Sequence, residues 1–214
     1  MEGLLISFEG VEGSGKSTQM TALAQSLKAK GWDVLELREP GGTRIGEKVR
    51  QILLDVESQG LTPVAELCLY LASRAQMVDE VLRPALAEGK VVLCDRFSDS
   101  TLAYQGYGRG LDLEGIHRLN RMVTGGIMPD LTLLLDLDPE VGLVRSALGG
   151  LDRLEKEDPS FHKRVREGYL ALAKKESKRV KVIPADGSRE AIAARVLAWV
   201  EVLLKRRSRR SHGI

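Results

Sequence analysis

Residues 10–17 read GVEGSGKS, a glycine-rich stretch ending in lysine and serine that matches the spacing GxxxxGK[ST]. The residue types explain the chemistry. Glycines let successive backbone N–H groups turn inward around phosphate oxygens, and a helix opening near Lys16 aims the positive end of its dipole at them. Gly10, Val11, Glu12, Gly13, Ser14, Gly15, Lys16, Ser17 and Thr18 are therefore expected to cradle the phosphates of ATP. Lys16 should reach the β- and γ-phosphates, and Ser17 should offer its hydroxyl to Mg²⁺. The spacing of Gly10, Gly13 and Gly15 is not the GxGxxG of dinucleotide-binding folds.

Such a loop needs a partner acid at the end of a neighbouring strand, and two apolar runs end in one: VVLCD at Asp95 and LTLLLD at Asp136. Asp95 is the better metal candidate, because Arg96 follows it and sets a phosphate-bridging guanidinium beside the carboxylate. Asp136 precedes the helix cap Asp138 and reads equally well as a polar strand end. A hydroxyl acceptor would need a general base. A nucleoside monophosphate, with a second phosphate pKa of about 6, is already mostly dianionic at neutral pH. What it needs instead is positive charge to offset the repulsion between two phosphates. Arg38, Arg50, Arg74, Arg96, Arg145 and Arg153 fall in segments expected at the carboxyl edge of the strands. Singly each reads as a surface residue; beside a phosphate loop they point together to a nucleoside monophosphate kinase.

The elements that must position these residues are legible from periodicity. Strand-length apolar runs at 4–8, 34–37, 91–94, 131–137 and 180–183 are each followed by helical spacing or helix-start chemistry. Every gap is long enough for a crossover helix, so the expected fold is doubly wound α/β, a five-stranded parallel sheet buried on both faces. Thr62, Asp138 and Asp158 each precede a proline and mark helix starts. Met20, Leu23, Ala24 and Leu27 form the core stripe of the first helix, which stops at Gly31; Ile192, Val196, Trp199 and Leu203 form that of the last. The expected organisation is a single domain spanning 1–214. Within it, residues 146–158, with hinges at Gly149 and Gly150, interrupt the helical pattern as a small mobile lid.

Five stretches carry a specific resemblance: FEGVEGSGKST (8–18), REPGGT (38–43), YLASR (70–74), DRFSDSTLAYQG (95–106) and LDRLE (151–155). In this order, across nearly the whole chain, they resemble the bacterial thymidylate kinases. The resemblance implies ATP and dTMP as substrates, Mg²⁺, and a homodimer packed through helices. It implies that Tyr70 stacks on thymine where relatives commonly have Phe, that Arg74 bonds a thymine carbonyl, and that Thr101 and Gln105 address the base edge. Tyr104 would lie under the deoxyribose and exclude a 2′-hydroxyl; Arg50 and Arg96 would bind the acceptor phosphate, with Glu39 in the loop that closes on it. Glu12 would act near the acceptor sugar or its metal-bound water. The variable loop positions Val11, Glu12 and Ser14 carry no basic residue, so a transition-state arginine is expected from the lid: Arg153 first, Arg145 second.

Composition narrows the field. The 214 residues are 43% hydrophobic with a net charge of +2, too little excess for a sequence-blind DNA surface; positive charge crowds only the tail, at Lys205, Arg206, Arg207, Arg209 and Arg210, read as a frayed solvated end. Cys68 and Cys94 read as buried thiols, and His117, His162 and His212 as solvated or helix-face residues without metal spacing. With no basic leader and no membrane-length apolar run, a cytoplasmic location is expected. The rivals are a deoxynucleoside kinase with Glu36 or Glu39 as base, another nucleoside monophosphate kinase, or a GTP-binding switch, which would need an NKxD motif that the sequence lacks.

Overall fold

The apolar runs form β1 (Leu4–Glu9), β2 (Val34–Arg38), β3 (Val91–Asp95), β4 (Leu131–Asp136) and β5 (Val180–Pro184) in a computed structural model that describes residues 3–58, 60–147 and 151–212. The strands pair in parallel in the order β2-β3-β1-β4-β5, the doubly wound arrangement expected. β1, β3 and β4 are buried along nearly their whole length, as strands covered on both faces must be. The chain steps from β1 out to β2, back to β3, then across β1 to β4. The direction of winding changes there, and the carboxyl ends of the central strands open a crevice. Register sets the reactive ends level: Arg38 lies opposite Asp95, and Asp95 opposite Phe8.

The helices are α1 (Lys16–Ala29), α2 (Arg44–Leu54), α3 (Pro63–Met77), α4 (Arg83–Ala87), α5 (Ser98–Thr101), α6 (Leu113–Thr124), α7 (Pro139–Ser146), α8 (Pro159–Lys175) and α9 (Arg189–His212). α1 buries Met20, Leu23, Ala24 and Leu27 in the same cluster as Leu4, Ile6 and Phe8 of β1, each large side chain contributing about 1.5–3 kcal/mol. The three caps form as expected: Thr62 accepts from Ala65 N–H, Asp138 from Glu140 N–H, and Asp158 from Ser160 and Phe161 N–H.

Four expectations are corrected. Cys68 is exposed, because it lies on the outer face of α3 between the buried Leu67 and Leu71. His162 is buried on α8, its ring edge-on to Phe161 at 5.4 Å. On α9 the inward stripe runs Ile192, Val196, Val200, four residues apart, and this turns Trp199 outward, where Lys181 Nζ lies 4.8 Å from its ring. The basic tail continues α9 as helix to His212.

Two segments have no simple periodicity. Val78–Leu82 and Leu102–Gly108 are π-helical, the second continuing α5, with Arg109 N–H bonding the Tyr104 carbonyl five residues back. Residues 153–157 run as turns and a bend between α7 and α8. The expected hinges Gly149 and Gly150 lie outside the described residues.

Candidate active site

The turn from β1 into α1 carries the phosphate loop. A Cβ at Gly13 would sit 2.1 Å from the Gly142 carbonyl oxygen, and the φ of Gly13 is 65°, so glycine is required where α7 backs the loop. The Lys16 ammonium is buried and donates to the carbonyls of Gly10 (3.1 Å) and Val11 (2.8 Å). Burial, and then the charge of Arg96, lower its pKa to about 8. Ser17 Oγ donates to Asp95 Oδ2 at 2.5 Å, so the two expected metal-binding residues meet between the start of α1 and the end of β3. Two hard oxygen donors at the phosphate edge fit a Mg²⁺ ion. Asp136 instead pairs with Arg166 at 2.7 Å.

Two cavities flank this loop and share Gly13, Lys16 and Ser17. One, of about 720 Å³, runs along residues 13–19 to Arg145, Ser188 and Arg189. The other, of about 300 Å³, is lined by Arg38, Arg50 and Arg96 and by Tyr70, Thr101, Tyr104 and Gln105. Burial and the like charge of Arg38 lower the pKa of Arg50, the signature of a positive site that an anion would relieve. Arg96, at φ 70°, bonds the Gly10 carbonyl (3.0 Å), Tyr169 Oη (3.1 Å) and Glu12 Oε1 (2.9 Å), and lies 4.9 Å from the Tyr104 ring. Tyr104 Oη also donates to Glu12 Oε1 at 2.6 Å. Burial pushes the Glu12 carboxyl up, but Arg96, Lys16 and Tyr104 outweigh it and hold it below the usual range.

Two arginines are not where expected. All five Arg74 N–H groups are engaged inside the protein, by Glu39, Thr101, Asn120 and the Phe97 carbonyl, so Arg74 orients the wall behind the cavity and has no donor left for a base. Arg153 is buried as well: Nε donates to the Leu53 carbonyl at 2.9 Å and an Nη lies 2.7 Å from Glu66 Oε2. It thereby fastens residues 151–155 to the end of α2, and unlike Asp152, Leu154 and Glu155 it does not line the smaller cavity. Arg145 does line the larger cavity, donating to the Ala185 carbonyl at 3.3 Å. Glu36 pairs with Lys28 outside the cavity, and Glu39 is held by Arg74.

Sequence reasoning missed three residues. Glu9, fully buried at the end of β1, accepts from Phe97 N–H, Ser100 Oγ and Tyr169 Oη, and so holds the turn that carries Arg96. Burial and the nearby Asp99 charge raise its pKa to about 7. The available signal was a carboxylate inside an otherwise apolar strand. Tyr169 lay eight residues after Phe161 on one helical stripe, and Glu66, beneath Gln105, carried no signal in the sequence.

Comparison with known proteins gives the family. A family model described as thymidylate kinase matches residues 8–196. The chain is 54% identical over 198 residues to the thymidylate kinase of Synechococcus sp. (strain JA-3-3Ab), covering 92% of this chain and 95% of that protein. It is 53% identical over 209 residues to that of Solidesulfovibrio magneticus, covering 94% and 100%. Among solved structures, thymidylate kinase from Ehrlichia chaffeensis superposes with a TM-score of 0.77 at 35% identity, covering 94% of this chain and 99% of that one.

Proposed function

The chain belongs to the thymidylate kinase family and phosphorylates dTMP with ATP; from that premise we propose how its own residues divide the work. ATP occupies the larger cavity and dTMP the smaller, and their phosphates meet at Gly13, Lys16 and Ser17. The sharing of these three residues by both cavities is the observation that carries the reading. Thymine stacks on Tyr70 and meets Thr101 and Gln105 at its edge, while Tyr104 underlies the sugar. Arg50 and Arg96 hold the acceptor phosphate, offsetting its repulsion from the γ-phosphate, and Glu12 fixes Arg96 and Tyr104 near the sugar. Ser17 and Asp95 would hold Mg²⁺, which when bound neutralises charge on the β- and γ-phosphates. No base is required, because the attacking oxygen is already ionised.

We further propose that residues 146–158 act as a lid within a single domain, and that the enzyme is cytoplasmic and dimeric. Exposed Ile45, Ile52, Val64 and Met122 on α2, α3 and α6 support the dimer. No helix among the described residues is long and apolar enough to cross a membrane. An ADP-release assay offering dTMP and thymidine side by side tests the acceptor: turnover confined to dTMP is expected, and preference for thymidine would make this a nucleoside kinase.

The transition-state charge is assigned to Arg145 in place of Arg153. Arg145→Ala is expected to lower kcat by about 10²-fold or more, as loss of an arginine at the transferring phosphoryl group does. Arg153→Ala should instead lower the melting temperature, since it removes one of the two guanidinium partners of the buried Glu66 and the bond to the Leu53 carbonyl. Kinetics and thermal melts of both variants check the assignment, and a reversed pattern would return the role to Arg153.

A further inference from the structure

Gln105 lines the acceptor cavity, and its amide can present either oxygen or nitrogen to a base. Its orientation is set from behind. Gln105 Nε2 donates to Glu66 Oε1 at 2.9 Å, and Glu66 is 0% exposed. The same carboxylate accepts from Arg109 Nε (3.2 Å) and Nη2 (3.0 Å), with an Arg153 Nη 2.7 Å away. Burial pushes the Glu66 carboxyl up, but the bonds from Arg109, Gln105 and Arg153 outweigh it and keep it ionised. An ionised carboxylate only accepts, so an amide oxygen turned towards it would face another negative oxygen at hydrogen-bond distance. Gln105 is therefore locked with Nε2 inward, and among the described residues no donor meets its Oε1.

We propose that Glu66, which does not itself line the cavity, is a specificity-determining positioning residue: by locking the Gln105 amide it makes the cavity select pyrimidines whose ring N3 carries hydrogen. Thymine and uracil offer that donor to Oε1; cytosine offers a bare acceptor and meets repulsion. Glu66 and Tyr70 stand one turn apart on α3, so the stacking face and the lock on the edge are mounted on one helix. Arg153 then serves recognition from a distance, keeping Glu66 charged without reaching the base. The inference rests on the reading that Gln105 meets the acceptor base. When a site's buried polar group is left unpaired, discrimination of about 10⁴–10⁵ is attainable, far beyond what a missing methyl group gives.

The test is kcat/KM for dTMP, dUMP, dCMP and N3-methyl-dTMP on the wild-type enzyme and on Glu66→Gln. Glutamine at position 66 can present either atom and so frees Gln105 to flip. The wild type is expected to prefer dTMP over dCMP by about 10³-fold or more. Glu66→Gln should lower that ratio at least about tenfold, leaving the dTMP to dUMP ratio and the KM for ATP unchanged. Equal losses for dTMP and dCMP would make Glu66 merely structural and overturn the proposal. N3-methyl-dTMP, which lacks the donor, supplies a measurement that does not depend on the variant folding: turnover by the wild type within about tenfold of dTMP would overturn it as well. No turnover of dTMP at all would overturn the functional reading beneath it, a result distinct from an unchanged ratio.

Discussion

Lys16→Ala is expected to lower kcat by at least about 10³-fold while leaving the melting temperature close to that of the parent. The ammonium lines both cavities, and with ATP and dTMP placed in them as proposed it would stand where the phosphoryl group passes from one phosphate to the other. Its charge is held against burial, which is why its effect on a developing negative charge is large: a preorganised donor in a poorly solvated site needs no rearrangement at the moment of transfer. The ammonium itself lines both cavities, so its removal opens a path for water to the two loop carbonyls it caps, and folding should lose little. The same burial sets a pH limit. With a pKa of about 8 in the free enzyme, the ammonium loses its proton as pH rises through that value, and kcat/KM for ATP should fall above it. Steady-state kinetics with a thermal melt check both halves, and activity within tenfold of the parent would refute the site.

Arg96→Ala is expected to lower kcat/KM for dTMP by about 10³-fold, with the KM for dTMP rising more than that for ATP. Two effects combine. The acceptor phosphate would lose a guanidinium proposed to hold it, and Glu12 is left buried beside Lys16 with Tyr104 as its remaining short partner. The guanidinium uses both ends, one nitrogen on Glu12 and the other on Gly10 and Tyr169, so Arg96→Lys should not restore activity. Its backbone is also held in the left-handed region by Arg96 N–H on the Phe8 carbonyl and by Phe97 N–H on Glu9. Substitution therefore disturbs a turn fixed by two neighbouring elements as well as a contact. Kinetics of the two variants test this, and a loss smaller than tenfold would move the acceptor phosphate to Arg38 and Arg50.

What was legible in the sequence was what is local. The phosphate loop, the five strands and the three capped helices each depend on residues a few positions apart, and each lies where the spacing indicates. What was not legible depends on partners distant in the chain. Arg74 and Arg153 look like any loop-edge arginine until folding brings Glu39 and Glu66 against them, 35 and 87 positions away, and turns them from ligand donors into internal struts. Tyr104 and Gln105 share a π-helical turn whose irregular period has no counterpart in a 3.6-residue pattern, so the sequence showed the residues but not the element that aims them. Glu9 follows directly on the apolar run 4–8, and nothing local shows that its buried carboxylate holds the Arg96 turn through Phe97, Ser100 and Tyr169.

On the proposed reading two nucleotides meet head to head across Lys16, one in each cavity. A ligand with adenosine and thymidine joined 5′ to 5′ through five phosphates tests it most directly, by inhibition kinetics against each substrate in turn. Competition with both ATP and dTMP, with affinity well above that of either nucleotide alone, is the predicted result. Competition with ATP only, with dTMP still binding freely, would place the acceptor elsewhere and rule out a meeting of the two phosphates at Lys16.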